Sequence, residues 1–385
     1  MLEKALSGGR RYWTWMAFLV ILLGVGFSFY LRQLDYGLGI TGMSRNVTWA
    51  LYIAQLTFLV GVAASAVMVV LPYYLHNYRG FGRITILGEF LAVSAVLMCL
   101  IFIIVDLGQP ARAFNVLLYP TPSSILFWDM IVLNGYLLLN ILIGWTVLSS
   151  ERKSVPPPVW VKPLIYISIP WAISIHTVTA FIYAGLPGRS FWLTALMAPR
   201  FLASAFASGP ALLILLCFIL RKFTRFDAGR ESVQMLAKIV TYALVISIFF
   251  VLMEIFTVFY SQIPEHMQPF KYLFVGLEGH YALVPWMWSA MVLAGLGLIL
   301  LINPRTRQNE TLLGIACAAV FVSLWIEKGL GLVVTGFIPS PLEKITDYSP
   351  TGPEILITLG VWAMGSFILT ILYKVAVSIK EELEA

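Results

Sequence analysis

Apolar residues along this chain gather into ten long runs separated by short polar breaks. The runs cover roughly residues 13–34, 49–75, 84–105, 125–148, 162–184, 200–220, 235–260, 280–302, 311–336 and 354–378. Each reaches about 20 residues, the length a helix needs to cross the hydrocarbon of a bilayer. In lipid a backbone must satisfy its own hydrogen bonds, so apolar runs this long predict helices. The breaks carry turn and charge signals, among them Tyr78-Arg79-Gly80-Phe81-Gly82-Arg83, Pro156-Pro157-Pro158 and Asn303-Pro304-Arg305. The expected fold is all-α and polytopic, with ten transmembrane helices in one integral membrane domain over 1–385. An even number of spans puts both termini on one side.

Spans two to five (49–184) and six to nine (200–336) read as two four-helix units, flanked by helices one and ten. One spacing hints at a repeat: His176 precedes Gly185 by nine residues, and Glu327 precedes Gly336 by nine. The first span is expected to be an anchor and not a removable signal. Arg10 and Arg11 precede it, but Trp13 and Trp15 follow and no small-residue cleavage site closes it.

Composition agrees with this. Hydrophobic residues make up 60% of the 385 and charged residues 11%, with a mean hydropathy of +0.88. Soluble domains carry about 45–50% apolar and about 25% charged residues, so a soluble enzyme or a disordered chain is excluded. The net charge of +6 reflects loop residues that set topology, not a nucleic-acid surface. Of the 25 lysines and arginines, 17 fall on the side of the termini. The positive-inside rule then predicts cytoplasmic termini in the inner cell membrane, with loops 35–48, 106–124, 185–199, 261–279 and 337–353 facing outward. Cys99, Cys217 and Cys317 all sit in apolar runs, and no CxxC or CxxCH occurs. No disulfide, c-type haem or iron–sulfur ligation by this chain is expected.

Ionisable groups inside spans are costly, so each invites a functional reading. Glu89 lies near the inner end of span three, and Asp106 closes that span outside. Asp129 starts span four, His176 is in the outer half of span five, and Arg200 opens span six. Glu254 is in the outer half of span seven, Glu278 and His280 open span eight, and Glu327 and Lys328 lie in the outer half of span nine. Apart from Glu89 the set is biased outward, which suggests a polar pocket open to the outside. The plainer readings are interfacial residues touching water for Asp106, Asp129, Arg200 and Glu278, and interhelical hydrogen bonds for His176, Glu254 and Glu327. Lys328 pairing with a carboxylate is another. Haem b needs two histidines at matched depth. Of His76, His176, His266 and His280, only the second and fourth form a conceivable pair. No His/Cys/carboxylate cluster has metal-ligand spacing.

A lipophilic, proton-coupled substrate suits this pattern, and a quinone fits well. Its headgroup needs hydrogen-bond partners able to exchange protons, and its tail needs an apolar slot. His176 is apt because imidazole titrates near neutrality. The candidate pocket is His176, Asp106, Arg112, Asp129, Tyr183 and Arg200, with His176, Asp106 and Arg200 in catalytic roles. Tyr119, Phe127, Trp128, Tyr183 and Trp192 can flank a ring, or simply form the interfacial aromatic belt. Asp106 and Arg112 are expected to pair across the Gly-Pro turn between them. A proton route inward is expected through Glu254, Glu327, Lys328 and Glu89, bridged by waters or hydroxyls such as Ser94.

The stretch Asp106-Leu107-Gly108-Gln109-Pro110-Ala111-Arg112 resembles the outer-loop motif of the NrfD/PsrC family of quinone-interacting membrane subunits. His176, Gly188-Arg189-Ser190-Phe191-Trp192, Ala198-Pro199-Arg200-Phe201-Leu202-Ala203-Ser204-Ala205 and Gly209-Pro210-Ala211-Leu212 are similar to a second family pattern. The likeness covers spans two to nine. Within the family, the run from Gly39 to Tyr52 is most similar to the DsrP branch of the DsrMKJOP complex, or its Hmc-type cousin. The resemblance implies two four-helix bundles and no redox cofactor in this chain. It implies exchange of electrons between menaquinone and an extracytoplasmic iron–sulfur (ferredoxin-like) subunit, linked to dissimilatory sulfur metabolism. Further partners implied are a multihaem cytochrome c, a haem b membrane subunit and a cytoplasmic iron–sulfur subunit. Two rival readings stand beside it: a secondary transporter or proton carrier using the buried carboxylates, and a purely structural anchor for redox partners.

Overall fold

The structure, a computed structural model, describes residues 2–384 and is 78% helical. Ten helices are long and apolar enough to cross a membrane: α1 (Arg10–Tyr36), α2 (Leu51–Leu75), α3 (Thr85–Asp106), α4 (Ile125–Arg152), α5 (Val161–Ala184), α6 (Met197–Phe223), α7 (Arg230–Ser261), α8 (Val284–Ile302), α9 (Glu310–Thr335) and α10 (Gly352–Leu383). Among the described residues there is no strand, only one isolated bridge between Leu277 and His280. Several helices outrun their hydropathy signal. α1 begins at Arg10 and α7 at Arg230, because arginine stems reach to the interface while the backbone stays helical.

The start of α8 differs from expectation. Glu278 and His280 do not open the span; they form a tight turn before it. Glu278 and Gly279 there have φ of 49° and 87°, and Pro285 opens the helix. Hydropathy cannot register such a turn, since Tyr281, Ala282 and Leu283 continue the apolar run.

α2 is the hub of the packing. It lies against α3, α5, α6 and α9, and nearly all of it is buried, including Gln55 and Thr57. α3 packs on α4 and α4 on α5; α6 packs on both α7 and α9, and α9 on α8. α1 pairs with α10, which leans on α3. The α1–α10 crossing is close enough to require glycine, since a Cβ on Gly26 would stand 2.6 Å from the Gly360 Cα. The outward faces of α1, α7 and α8 are apolar, with Phe18, Ile21, Phe249, Phe256, Val292 and Ile299 exposed. Water would not tolerate patches that extensive, but lipid is their natural solvent. The chain is an integral membrane protein.

One face carries both termini. The opposite, distal face carries the longer connections. Over it, the 337–353 segment is tied down by side chains: Glu354 accepts from Tyr348 Oη at 2.5 Å and from the Gly42 amide at 2.8 Å. Burial, followed by the Glu354 carboxylate, pushes the Tyr348 phenol up. A second hydrophobic cluster caps this end, with Trp49, Tyr183, Trp192 and Phe337 in mutual ring contact at 5.0–6.1 Å.

Candidate polar layer beneath the distal face

Three ionisable groups singled out in the sequence meet in one ion-pair cluster. Arg200 on α6 donates from Nη1 to Glu254 on α7 and from Nη2 to Glu327 on α9. All three are buried. Glu327 sits in a π-helical turn, Trp325–Gly331, inside α9. Such turns widen the helix and change which way successive side chains point. A guanidinium presents a planar fork, which suits simultaneous contact with two carboxylates. The cluster therefore fastens three helices at one level.

Lys328, the next residue, points elsewhere. It forms no ion pair with Glu327 or any other carboxylate among the described residues, contrary to the pairing considered from sequence. Neighbouring residues on a helix do not face one another. Its Nζ donates to the Phe201 carbonyl at 3.3 Å and lies 4.3 Å from the Phe201 ring centroid. A Cβ on Gly61 would meet that Nζ at 3.1 Å and the Ser208 Oγ at 3.2 Å. The ammonium thus fills a notch that glycine leaves between α2 and α6.

His176 on α5 has no solvent exposure, and neither ring nitrogen has a hydrogen-bond partner. Its ring stands edge-on to Phe206 at 6.5 Å. Nearby on the same helix, Thr179 donates to Asp129 Oδ1 of α4 at 2.7 Å, and the Tyr183 hydroxyl meets that of Thr57. Ser208 Oγ, Gln55 Nε2 and Thr335 Oγ1 are also buried without partners. At 1.5 Å per residue from the distal helix ends, Arg200, Asp129, Glu254, His176 and Glu327 lie about 5–12 Å inside. They form a polar band about 7 Å deep.

Other expected members lie apart. Asp106 ends α3 with Oδ1 buried and unpartnered, while Arg112 is exposed in the turn Pro110–Arg112. The expected Asp106–Arg112 pair is not formed, because the turn carries Arg112 to the surface. No hydrogen bond joins either residue to His176 or Arg200 among the described residues. Glu89 is buried near the other face, its Oε2 unpartnered and 3.0 Å from where a Gly144 Cβ would stand. The Ser94 hydroxyl donates to the Gly365 carbonyl at 2.6 Å, which commits its proton. His280 is a surface group whose Nδ1 lies 2.8 Å from Asp347 Oδ2, and Tyr272 donates to Asp347 Oδ1 at 2.8 Å. Burial first, then that carboxylate, pushes the Tyr272 phenol up.

Sequence inspection confined to ionisable groups missed Gln55, whose Oε1 accepts from the indoles of Trp325 at 2.9 Å and Trp362 at 3.0 Å. Its signal was present: a carboxamide in the most apolar stretch of α2. Among the described residues no three His, Cys, Asp or Glu side chains gather as metal ligands. The chemistry on offer is hydrogen bonding and proton exchange in a buried layer beneath aromatic side chains.

Comparison with known proteins adds relatives. A family model described as "Polysulphide reductase, NrfD" matches residues 39–338. A putative membrane subunit of dimethyl sulfoxide reductase from Halobacterium salinarum is 26% identical, over 92% of this chain and 89% of that protein. The "Hdr-like menaquinol oxidoreductase integral membrane subunit" of Archaeoglobus fulgidus is 23% identical, covering 95% and 94%. The "Menaquinone reductase, integral membrane subunit" of Nitratidesulfovibrio vulgaris is 22% identical, covering 94% and 91%.

Proposed function

We propose, from the premise that this chain belongs to the polysulphide reductase NrfD family, that it is the quinone-interacting membrane subunit of an oxidoreductase complex. The observation that carries this reading is the fully buried His176 with two unpartnered ring nitrogens. Burying a polar group without a partner costs about 1–3 kcal/mol, so such a group calls for a ligand or water. Ser208, Thr335 and Gln55 add further unmet donors and acceptors on the surrounding helices. Quinone carbonyls accept, and the matching hydroxyls donate and accept, so a quinone headgroup suits this mixed set.

On this reading His176 exchanges the proton that accompanies electron transfer. Lys328, held by a carbonyl and a ring face, places an amine close to the layer. The aromatic roof of Trp49, Tyr183, Trp192 and Phe337 keeps water out. The quinone is menaquinone, in keeping with the names of two relatives. Electrons pass to or from an extracytoplasmic iron–sulfur subunit docked on the distal connections, in an inner-membrane complex tied to sulfur metabolism. Cytoplasmic termini follow from the basic loops on that side. Spans two to five and six to nine act as the two four-helix units. Asp106, Arg112, Asp129, Tyr183 and Arg200 shape the pocket and its loop, and Glu254, Glu327, Lys328 and Glu89 serve the proton route.

The test is His176→Ala in the assembled complex. Quinol-linked turnover is expected to fall by about 10²-fold or more, the scale of a lost general acid–base, with assembly retained. Wild-type turnover in an assembled variant would refute the role.

A further inference from the structure

A cleft of about 810 Å³ opens between α7 and α8. Its back wall is α9, and the short helix Pro264–Phe274 closes it toward the distal face. Val251, Ile255, Phe274, Met291 and Leu298 make it apolar. Leu252 and Phe259 both line it and are exposed at the hydrocarbon-facing surface, so its mouth opens sideways into lipid. The polar exceptions are Ser247, Ser323, Lys271 and one carboxylate, Glu327, whose Oε1 is held by Arg200. No hydrogen bond to its other carboxylate oxygen is formed among the described residues.

We infer that this cleft is a lateral binding site for a prenylated quinol, with the tail between α7 and α8 and a headgroup hydroxyl donating to Glu327. The inference rests on the quinone reading above and places one bound molecule at a position separate from His176. The volume falls within the range of sites for molecules of this size, and the layout of mostly apolar walls with a few placed polar groups is typical of them. Charge selects the headgroup. The cluster sets two carboxylates against one guanidinium, so it offers acceptors and disfavours an anionic phosphate. A neutral headgroup bearing hydroxyl donors matches it. The π-turn separates the two environments: Glu327 faces the cleft, while Lys328 faces the notch at Gly61 between α2 and α6. Lys271, on the distal rim, is the cation among the lining residues and stands where a phospholipid headgroup would compete.

Gly295 allows a clean test, because it lines the cleft and a Cβ there meets nothing within 4 Å. The full chain is purified with its accompanying subunits as wild type, Gly295→Trp, Gly295→Leu and Glu327→Gln. Gly24→Trp on α1, where a Cβ also meets nothing within 4 Å, is the control for a bulky lipid-facing residue. Extracted prenylquinone and phospholipid are quantified, and a photoreactive azido-menaquinol is mapped by peptide mass. Labelling on α7 and α8 is expected to fall about tenfold in Gly295→Trp and Glu327→Gln while labelling around His176 persists, with Gly24→Trp unchanged. Gly295→Leu, the smaller filler, reports on the cleft if the indole prevents folding. Quinone bound and labelled only around His176, indifferent to both fillers, overturns the cleft and leaves the quinone reading standing. Loss of phospholipid alone from the filled cleft also overturns it. Absence of bound or labelled quinone anywhere overturns both.

Discussion

Replacing Arg200 by Met removes the guanidinium and keeps most of the side-chain volume. Glu254 and Glu327 then remain buried together without a counter-charge. Breaking a buried ionic set by removing one partner typically costs about 3–5 kcal/mol, because the group left behind is uncompensated. Here two groups are left behind, so the upper part of that range is expected. One kcal/mol shifts the melting point of a 150–250-residue domain by about 2–4 °C, and less for a longer chain, so a drop on the order of 5–10 °C follows. The protein supplies its own reporter, since Cys99, Cys217 and Cys317 are all free and buried. A thiol-reactive dye in detergent solution reads their exposure on heating. The triple variant Arg200→Met/Glu254→Gln/Glu327→Gln separates charge from packing. Removing the whole ionic set is often close to neutral, so it is expected to recover most of the lost melting temperature. A single variant melting within about 1 °C of wild type, or a triple variant no better than the single, would refute the reasoning.

Gly61→Val puts methyl groups where the Lys328 ammonium and Ser208 hydroxyl now sit, so quinol-linked turnover is expected to fall more steeply than thermal stability. Equal loss of both would make the notch merely structural. Tyr272 gives a pH prediction. Its phenol is raised in the folded state, so its contribution is complete below the unfolded value near 10 and is lost as pH rises above it. Melting temperature should fall above about pH 10, and Tyr272→Phe should flatten that fall. An unchanged alkaline profile in Tyr272→Phe assigns the loss to other groups.

Helix number and placement were legible in the sequence because hydropathy reports the one property lipid selects. The family motif was legible too, through the run from Asp106 to Arg112. The partners of the polar residues were not. Arg200, Glu254 and Glu327 stand on three helices, and their meeting depends on how α6, α7 and α9 rotate against each other. Periodicity along one helix carries no such information. Lys328 looked like a natural mate for Glu327 because adjacency in sequence resembles adjacency in space; the helix turns the two apart. Asp106 and Arg112 failed to pair for a similar reason, a short turn redirecting the second side chain. Gln55 escaped notice because a carboxamide carries no charge, yet it holds two indoles in the core of the hub helix.

The π-turn at Trp325–Gly331 also acts as a phase shift in α9. Above it, Leu332 offers its carbonyl to the Trp192 indole at 2.9 Å; below it, Ser323 donates to the Ala290 carbonyl at 2.8 Å. Those two anchors lie on either side of the turn, which absorbs one extra residue between them. Deleting one residue within the turn would restore a regular helix and leave the two anchored ends in register. What would change is the widened turn itself, where Glu327 and Lys328 sit. The helix is therefore tuned there by length as well as by composition, and without the extra residue the acidic side chain would be seated against a different neighbour.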